Sequence, residues 1–540
     1  MACDLILINA VIHTLDPRAP RASALAVRGG RVTFLGEDSE ACDLPLSPGG
    51  EVVDMKGACV LPGLVDSHMH FQWFAEALES VDAGTATMEQ ALERVARAAG
   101  AVPDSTLVAA DRRPAWIRGN GWDHNPWGAL PSRGHLDRAA PGVPVALTAK
   151  SGHALWASTA ALAAASIDAR TPDPPGGRIG REEDGTPSGI LFDNAMDLVT
   201  RAMPKATPEG TAVRMEAAMK VLHGAGLTGI HDFDGATALS ALQILRERGA
   251  LRLRVLQGIP HGLMDSAVGL GVRSGFGDEW LSLGPVKLFA DGALGSRTAW
   301  MLEPYEGSGD RGIATLGVEE MAEDILKANA NGLDCAVHAI GDAACRGVLD
   351  AYERVSADPR ASGRMRRNRI EHAQLLHPED LPRLARLGLI ASMQPIHATS
   401  DMDMAERHWG SRCATAYAWR ALQEAGTILA FGSDCPVESP SPLAGIHAAV
   451  TRRRADGSPG KDGWHPLQRL HVLDAVRAYT EGAARAAGRE GESGRIARGF
   501  LADLTALDRD VLAVDPREIP ELKVLATIVG GSFAWRDRRL

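Results

Sequence analysis

The stretch LPGLVDSHMHF (61–71) sets His68 and His70 one residue apart behind a short apolar rise. Successive side chains of a β-strand alternate faces, so the two imidazoles would point the same way. Two imidazoles side by side pack poorly, but they make half of a metal site. Four more residues fall where an apolar run gives way to a loop: Lys287 in PVKLFADGALGSR, His338 in AVHAIGD, His372 in RIEHAQLL and Asp434 in FGSDCPV. Each alone has a dull explanation: a core histidine, a turn or helix-cap aspartate, a lysine reaching for the surface. Burying all of them together is costly unless a cation compensates. The joint pattern therefore reads as a metal site.

Such a site needs elements that bring distant residues to one place. From about residue 61 to 485, short apolar runs alternate with amphipathic segments. The runs are the His68 stretch, GLTGIHDF, LRLRVLQGI, GPVKLFADGALG, LDCAVHAIGD, RIEHAQLL, LIASMQPIHA and ILAFGSDCPV. Strand–helix alternation implies a parallel sheet, and eight strands are the count of a (β/α)8 TIM-like barrel, whose strand C-termini converge on one pocket. A doubly wound sheet is the rival, but no G-x-G-x-x-G follows the first strand. Residues 1–60 and 486–540 carry short strand-like runs with Gly29-Gly30 and Gly530-Gly531 at bends, so both ends are expected to build one small β-sandwich domain. Residues 105–195, rich in Trp, Pro and Gly, fit the alternation badly and read as an inserted cap, with Trp116, Trp122, Trp127 and Trp156 either lining it for an apolar substrate or forming its own core.

With 540 residues, 45% hydrophobic and 23% charged, the chain is an ordinary globular α/β protein of more than one domain. A net charge of −11 argues against nucleic acid or an acidic membrane surface as partner, and Arg452-Arg453-Arg454 and Arg366-Arg367 are too short to contradict it. No apolar run of about 18 residues predicts a membrane span. An acidic residue stands where a signal peptide would carry positive charge, and seven scattered cysteines fit reduced thiols, so a cytoplasmic location is expected.

These motifs, with GWDHNPWG, SGHALWAS and FGSDCPVESPSPL, resemble the amidohydrolase superfamily of metal-dependent hydrolases over nearly the whole chain, in the branch that includes N-substituted formamide deformylase. The resemblance implies that His68 and His70 bind a first metal, that Asp434 touches it and acts as the catalytic base, and that His338 and His372 bind a second. It further implies a carboxylated Lys287 bridging two ions, Zn2+ by ligand chemistry, in preference to a one-metal site. The implied reaction is hydrolysis of a non-peptide carbon–nitrogen bond, an amide or N-formyl group of a small molecule, by a metal-activated hydroxide. A related deaminase or lactonase, or a non-catalytic regulatory protein, is the alternative. The substrate, the oligomeric state (a homodimer among the options) and the roles of Asp291, Arg297, His231 and His397 stay open at this level.

Overall fold

The computed structural model describes residues 2–101, 116–149, 154–361 and 367–540. Residues 105–115 and 150–153 of the expected cap, and Arg366 of the short basic pair, lie outside the described residues. Two compact units divide the chain: Met1–Phe74 together with Pro208–Leu540, and Ala75–Thr207.

The first unit is an α/β structure around eight parallel strands in sequential order. They are β1 (Leu64–Met69), β2 (Leu227–Asp232), β3 (Arg254–Pro260), β4 (Leu281–Phe289), β5 (Cys335–Ala339), β6 (Arg369–His372), β7 (Ile390–Met393) and β8 (Ile428–Phe431). Each coincides with one of the eight apolar runs. Most strand residues are buried, as expected where helices cover the outer face of a parallel sheet. The two edges nearly close the sheet into a barrel through one parallel bridge, Met69 to Cys435. There the Asp434 amide donates to His68 O at 2.7 Å and the His70 amide to Cys435 O at 2.8 Å. Gly432 makes this approach feasible: a Cβ at that position would lie 2.5 Å from His68 N and 2.7 Å from Asp66 Oδ1. Asp66 braces the same seam, accepting from the Ser433 hydroxyl at 2.5 Å and from the amides of Ser433 and His68 at 2.9 and 3.1 Å.

Strands from both chain ends form two further sheets in the same unit, one of four strands and one of six. Leu5, Leu25 and Val27 of the first share a hydrophobic cluster with Ile12, Val60, Leu504 and Ile528 of the second. Gly29-Gly30 and Gly530-Gly531 are both left-handed pairs at two-residue hairpin turns, with φ of 55° and 76°, and 57° and 73°. A Cβ on Gly30 would meet Gly530 O at 3.2 Å, so the turns nest against each other.

The Ala75–Thr207 unit is built on a six-stranded mixed sheet running from Val81–Asp82 at one edge to Gly177–Arg181 at the other. The expected insertion at about 105–195 falls inside it, because the helix Met88–Ala101 and the strand Val81–Asp82 belong to the same packed unit. None of the seven cysteines forms a disulfide. Among the described residues, no helix is long and apolar enough to cross a membrane.

Candidate metal centre

The C-terminal ends of the barrel strands bring the distant residues together. His68 is the penultimate residue of β1, and His70 follows the strand just before the helix Phe71–Leu78. Both Nε2 atoms lie 3.5 Å from the same oxygen, Asp434 Oδ1, in the loop after β8. The other ring nitrogens are engaged: His68 Nδ1 is 2.5 Å from Glu371 Oε2, and His70 Nδ1 is 3.1 Å from Asp234 Oδ1. A carboxylate at Nδ1 assigns the proton there and leaves Nε2 as a lone pair facing Asp434. Asp234 is itself held by the amides of Gln72 and Trp73.

Behind His68 runs a wholly buried chain of charge. Arg369 Nε is 2.6 Å from Glu371 Oε1, an ion pair rather than an aligned hydrogen bond, and Arg369 also donates to His231 Nδ1 at 2.8 Å. Burial alone would raise the Glu371 carboxyl, but Arg369 and His68 hold it far below the usual carboxylate range. Burial lowers His68 to about 4, so a neutral imidazole donates to an anionic Glu371. His231 is thus a structural partner of Arg369, not a member of the cluster at the strand ends.

Lys287, from β4, is 5% exposed, with Nζ 3.4 Å from His68 Nε2 and over the rings of Phe233 and Phe289. Burial lowers its ammonium to about 8, which makes a neutral amine accessible near neutral pH. The His338 and His372 rings lie 4.5 Å apart, and His372 lies 4.9 Å from His68. His338 Nε2 donates to Gly292 O at 2.9 Å, which leaves Nδ1 as its free donor atom. His372 is buried, and its Nδ1 has no hydrogen-bond partner. Other buried nitrogens, His223 Nε2 and Arg369 Nε among them, are also without such a partner, but the His372 ring lies between two other imidazoles of the cluster.

In this cluster two sets of donor atoms each lie within 4.8 Å of one another: His68, His70 and Asp434; and His372, His397 and Asp434. Lys287 and His338 flank these sets. Burial would raise Asp434, but His397 and the neighbouring imidazoles hold its carboxyl well below the ordinary range. His372 and Asp434 sit at φ of 70° and 59°, left-handed conformations that side chains other than glycine adopt at a cost of about 1–3 kcal/mol and that cluster at functional sites. Lone pairs aimed at one another, carboxylates behind the imidazoles and an orphaned nitrogen all fit a divalent cation.

Of the residues left open by sequence, Asp291 has a clear role. Its carboxylate accepts from the amides of Trp300, Ile340 and Gly341 at 2.8 to 3.0 Å, holding the loops after β4 and β5. Arg297 is exposed on that loop at φ 55°. His397 lies in the first turn of the helix Pro395–Trp409 and reaches Asp434 Oδ2 at 3.3 Å. Burial would lower His397, but the hydrogen bond to Asp434 and the Glu438 carboxylate 3.7 Å away override this and raise it to about 10. Glu371, Asp234 and Glu438 were missed by sequence reasoning; Glu371, adjacent to His372, was the one with a local cue. A cavity of about 60 Å³ lined by Gly63, Val65, Thr228, Arg254 and Asp503 opens at the N-terminal ends of the strands, away from this cluster.

The geometry agrees with what comparison with known proteins finds. The profile of the Amidohydrolase family matches residues 51–534. YtcJ of Bacillus subtilis (strain 168), which bears an amidohydrolase name, is 33% identical over 97% of this chain and 98% of its own. N-substituted formamide deformylase of Arthrobacter pascens is 31% identical over 98% of each chain. The crystal structure of an uncharacterized metal-dependent hydrolase from Pyrococcus furiosus superposes with a TM-score of 0.76 at 30% identity, covering 94% of this chain and 99% of that one. This chain belongs to the amidohydrolase family, as a metal-dependent hydrolase acting on carbon–nitrogen bonds.

Proposed function

We propose that the bond hydrolysed is an amide or N-formyl group of a small molecule, and that His68, His70, Lys287, His338, His372 and Asp434 hold two Zn2+ ions. The observation that carries this reading is the convergence of two histidine Nε2 atoms on one Asp434 oxygen, each at 3.5 Å. Likeness to a formamide deformylase over the full chain supports the choice of bond. When bound, the cation supplies Lewis-acid chemistry, acidifying water and polarising the carbonyl. Asp434 is the catalytic base: its carboxylate accepts a proton from the attacking water and returns it to the leaving nitrogen, so that the carbon–nitrogen bond breaks to give an acid and an amine. Glu371 and Asp234 keep the Nδ1 protons on His68 and His70, so both imidazoles keep Nε2 free.

Lys287 is proposed to be carboxylated. Its neutral amine would attack CO2, forming a nitrogen–carbon bond as one C=O π bond opens to a carboxylate oxygen and one proton leaves the nitrogen, and the carbamate would join the residues that hold the metal. Burial that brings the ammonium to about 8 supports this step. We also propose that residues 1–60 and 486–540 act as one β-sandwich domain, and that the enzyme works in the cytoplasm on a small molecule, without nucleic acid or membrane. The test is to assay zinc-loaded protein against N-formyl amines, simple amides, cyclic imines and lactones. Release of formate or carboxylate from the first two classes is expected, abolished by chelation and restored by zinc. Turnover confined to imines or lactones would replace this reading with deamination or ring opening.

A further inference from the structure

The two oxygens of Asp434 face different partners. Oδ1 lies 3.5 Å from Nε2 of both His68 and His70, while Oδ2 lies 3.3 Å from His397 Nε2. His397 is 6% exposed, and its other nitrogen is 3.7 Å from Glu438 Oε1. Asp434 and Glu438 stand four residues apart in the segment after β8, so one stretch of chain supplies carboxylates to both sides of a single imidazole. The backbone of Asp434 is pinned: its amide donates to His68 O, and its carbonyl accepts from the Val437 amide at 2.9 Å. Its side chain is oriented by the contacts on its two oxygens. Rotation about the carboxyl bond would exchange the two oxygens, and the hydrogen bond on Oδ2 comes from His397.

Resting on the proposed function above, we propose that His397, steadied by Glu438, is a positioning residue that holds the Asp434 carboxylate with one oxygen toward the His68–His70 pair. His397 lies on a different strand–helix unit from His68, His70 and Asp434, at the start of the helix after β7. Its Nε2–H donates to Oδ2 and blocks the rotation that would swap the oxygens. Glu438 keeps the ring from swinging away. Both residues act through Asp434, and neither touches substrate in this assignment.

The test loads the full-length protein with Co2+ and records metal stoichiometry and the visible d–d spectrum of the wild type, His397→Ala, His397→Gln, Glu438→Gln and Asp434→Asn. His397→Ala is expected to keep the wild-type cobalt content with an altered spectrum. His397→Gln, which retains an N–H donor, should restore the wild-type spectrum, and Glu438→Gln should fall between. With a substrate from the panel above, His397→Ala should lower kcat about 10- to 100-fold, the usual range for a residue that orients a ligand, with KM little changed. An unaltered His397→Ala spectrum would overturn the proposal, and so would loss of cobalt in that variant, which would make His397 a ligand. If instead Asp434→Asn leaves the spectrum unchanged, the metal reading itself fails, whatever His397 does.

Discussion

The barrel and the Ala75–Thr207 unit bury very different chemistry. At the ends of its strands the barrel encloses His68, Lys287, Arg369, Glu371 and His372, all under 6% exposed. Among the described residues of Ala75–Thr207, Ser158 is the sole buried polar side chain, and it caps a helix, accepting from the Ala161 amide. That unit buries tryptophan instead. The rings of Trp122, Trp127 and Trp156 lie 6.1 to 6.3 Å apart, and their Nε1–H groups donate to the carbonyls of Leu147, Thr85 and Ser132. Tryptophans with satisfied N–H groups in a shared cluster are core, as aromatic residues usually are when buried. Their abundance in the sequence therefore says how this unit holds together rather than what substrate it meets. In the barrel, buried charges linked pair by pair, with the His372 Nδ1 unpartnered among the imidazoles, point to chemistry.

The contrast can be broken experimentally. The largest effect is expected at Asp434: Asp434→Asn should lower turnover on the order of 10²- to 10⁴-fold, the range for losing a general base, with metal still bound by elemental analysis. Full activity in that variant would remove Asp434 from its role. Next, Trp156→Ala should cost about 3–5 kcal/mol, as large-to-small core changes do, seen as a destabilised Ala75–Thr207 unit in thermal unfolding and limited proteolysis. Zinc content should not change, since all six proposed ligands lie in the other unit; parallel loss of zinc would undo the contrast. Glu371→Gln should weaken zinc affinity about 10- to 100-fold by loosening the His68 tautomer, measured by competition with a chromophoric chelator; affinity equal to wild type would make Glu371 only a buried partner of Arg369. Smallest is Trp127→Phe, which removes the bond to Thr85 O and should cost about 0.5–1.5 kcal/mol in the unfolding midpoint. A loss as large as that of Trp156→Ala would mean the hydrogen bond outweighs the packing.

Much of this was readable before any coordinates. The eight apolar runs each became a barrel strand, because a strand covered on its outer face needs a short continuous apolar stretch, and such stretches are visible. His68 and His70 share a side as strand alternation requires. The second layer was not readable. Alternation would send Glu371 and His372 to opposite faces, but His372 sits at φ 70° where the strand stops, so the two neighbours serve the same cluster from different directions. Nothing near Asp234 in the chain connects it to His70, 164 residues away. His397 looked like a strand-end residue and proved to be in the first turn of a helix, aimed back at Asp434.

By itself the sequence determined the repeating strand–helix rhythm and the positions at which titratable residues end the strands, since both are local properties of residue type and spacing. Only the tertiary structure decided which nitrogens of His68 and His70 face a supporting carboxylate, which oxygen of Asp434 faces which partner, and that Trp122, Trp127 and Trp156 face one another. Those depend on side chains hundreds of residues apart meeting within hydrogen-bond range, a matter of packing that no local pattern encodes.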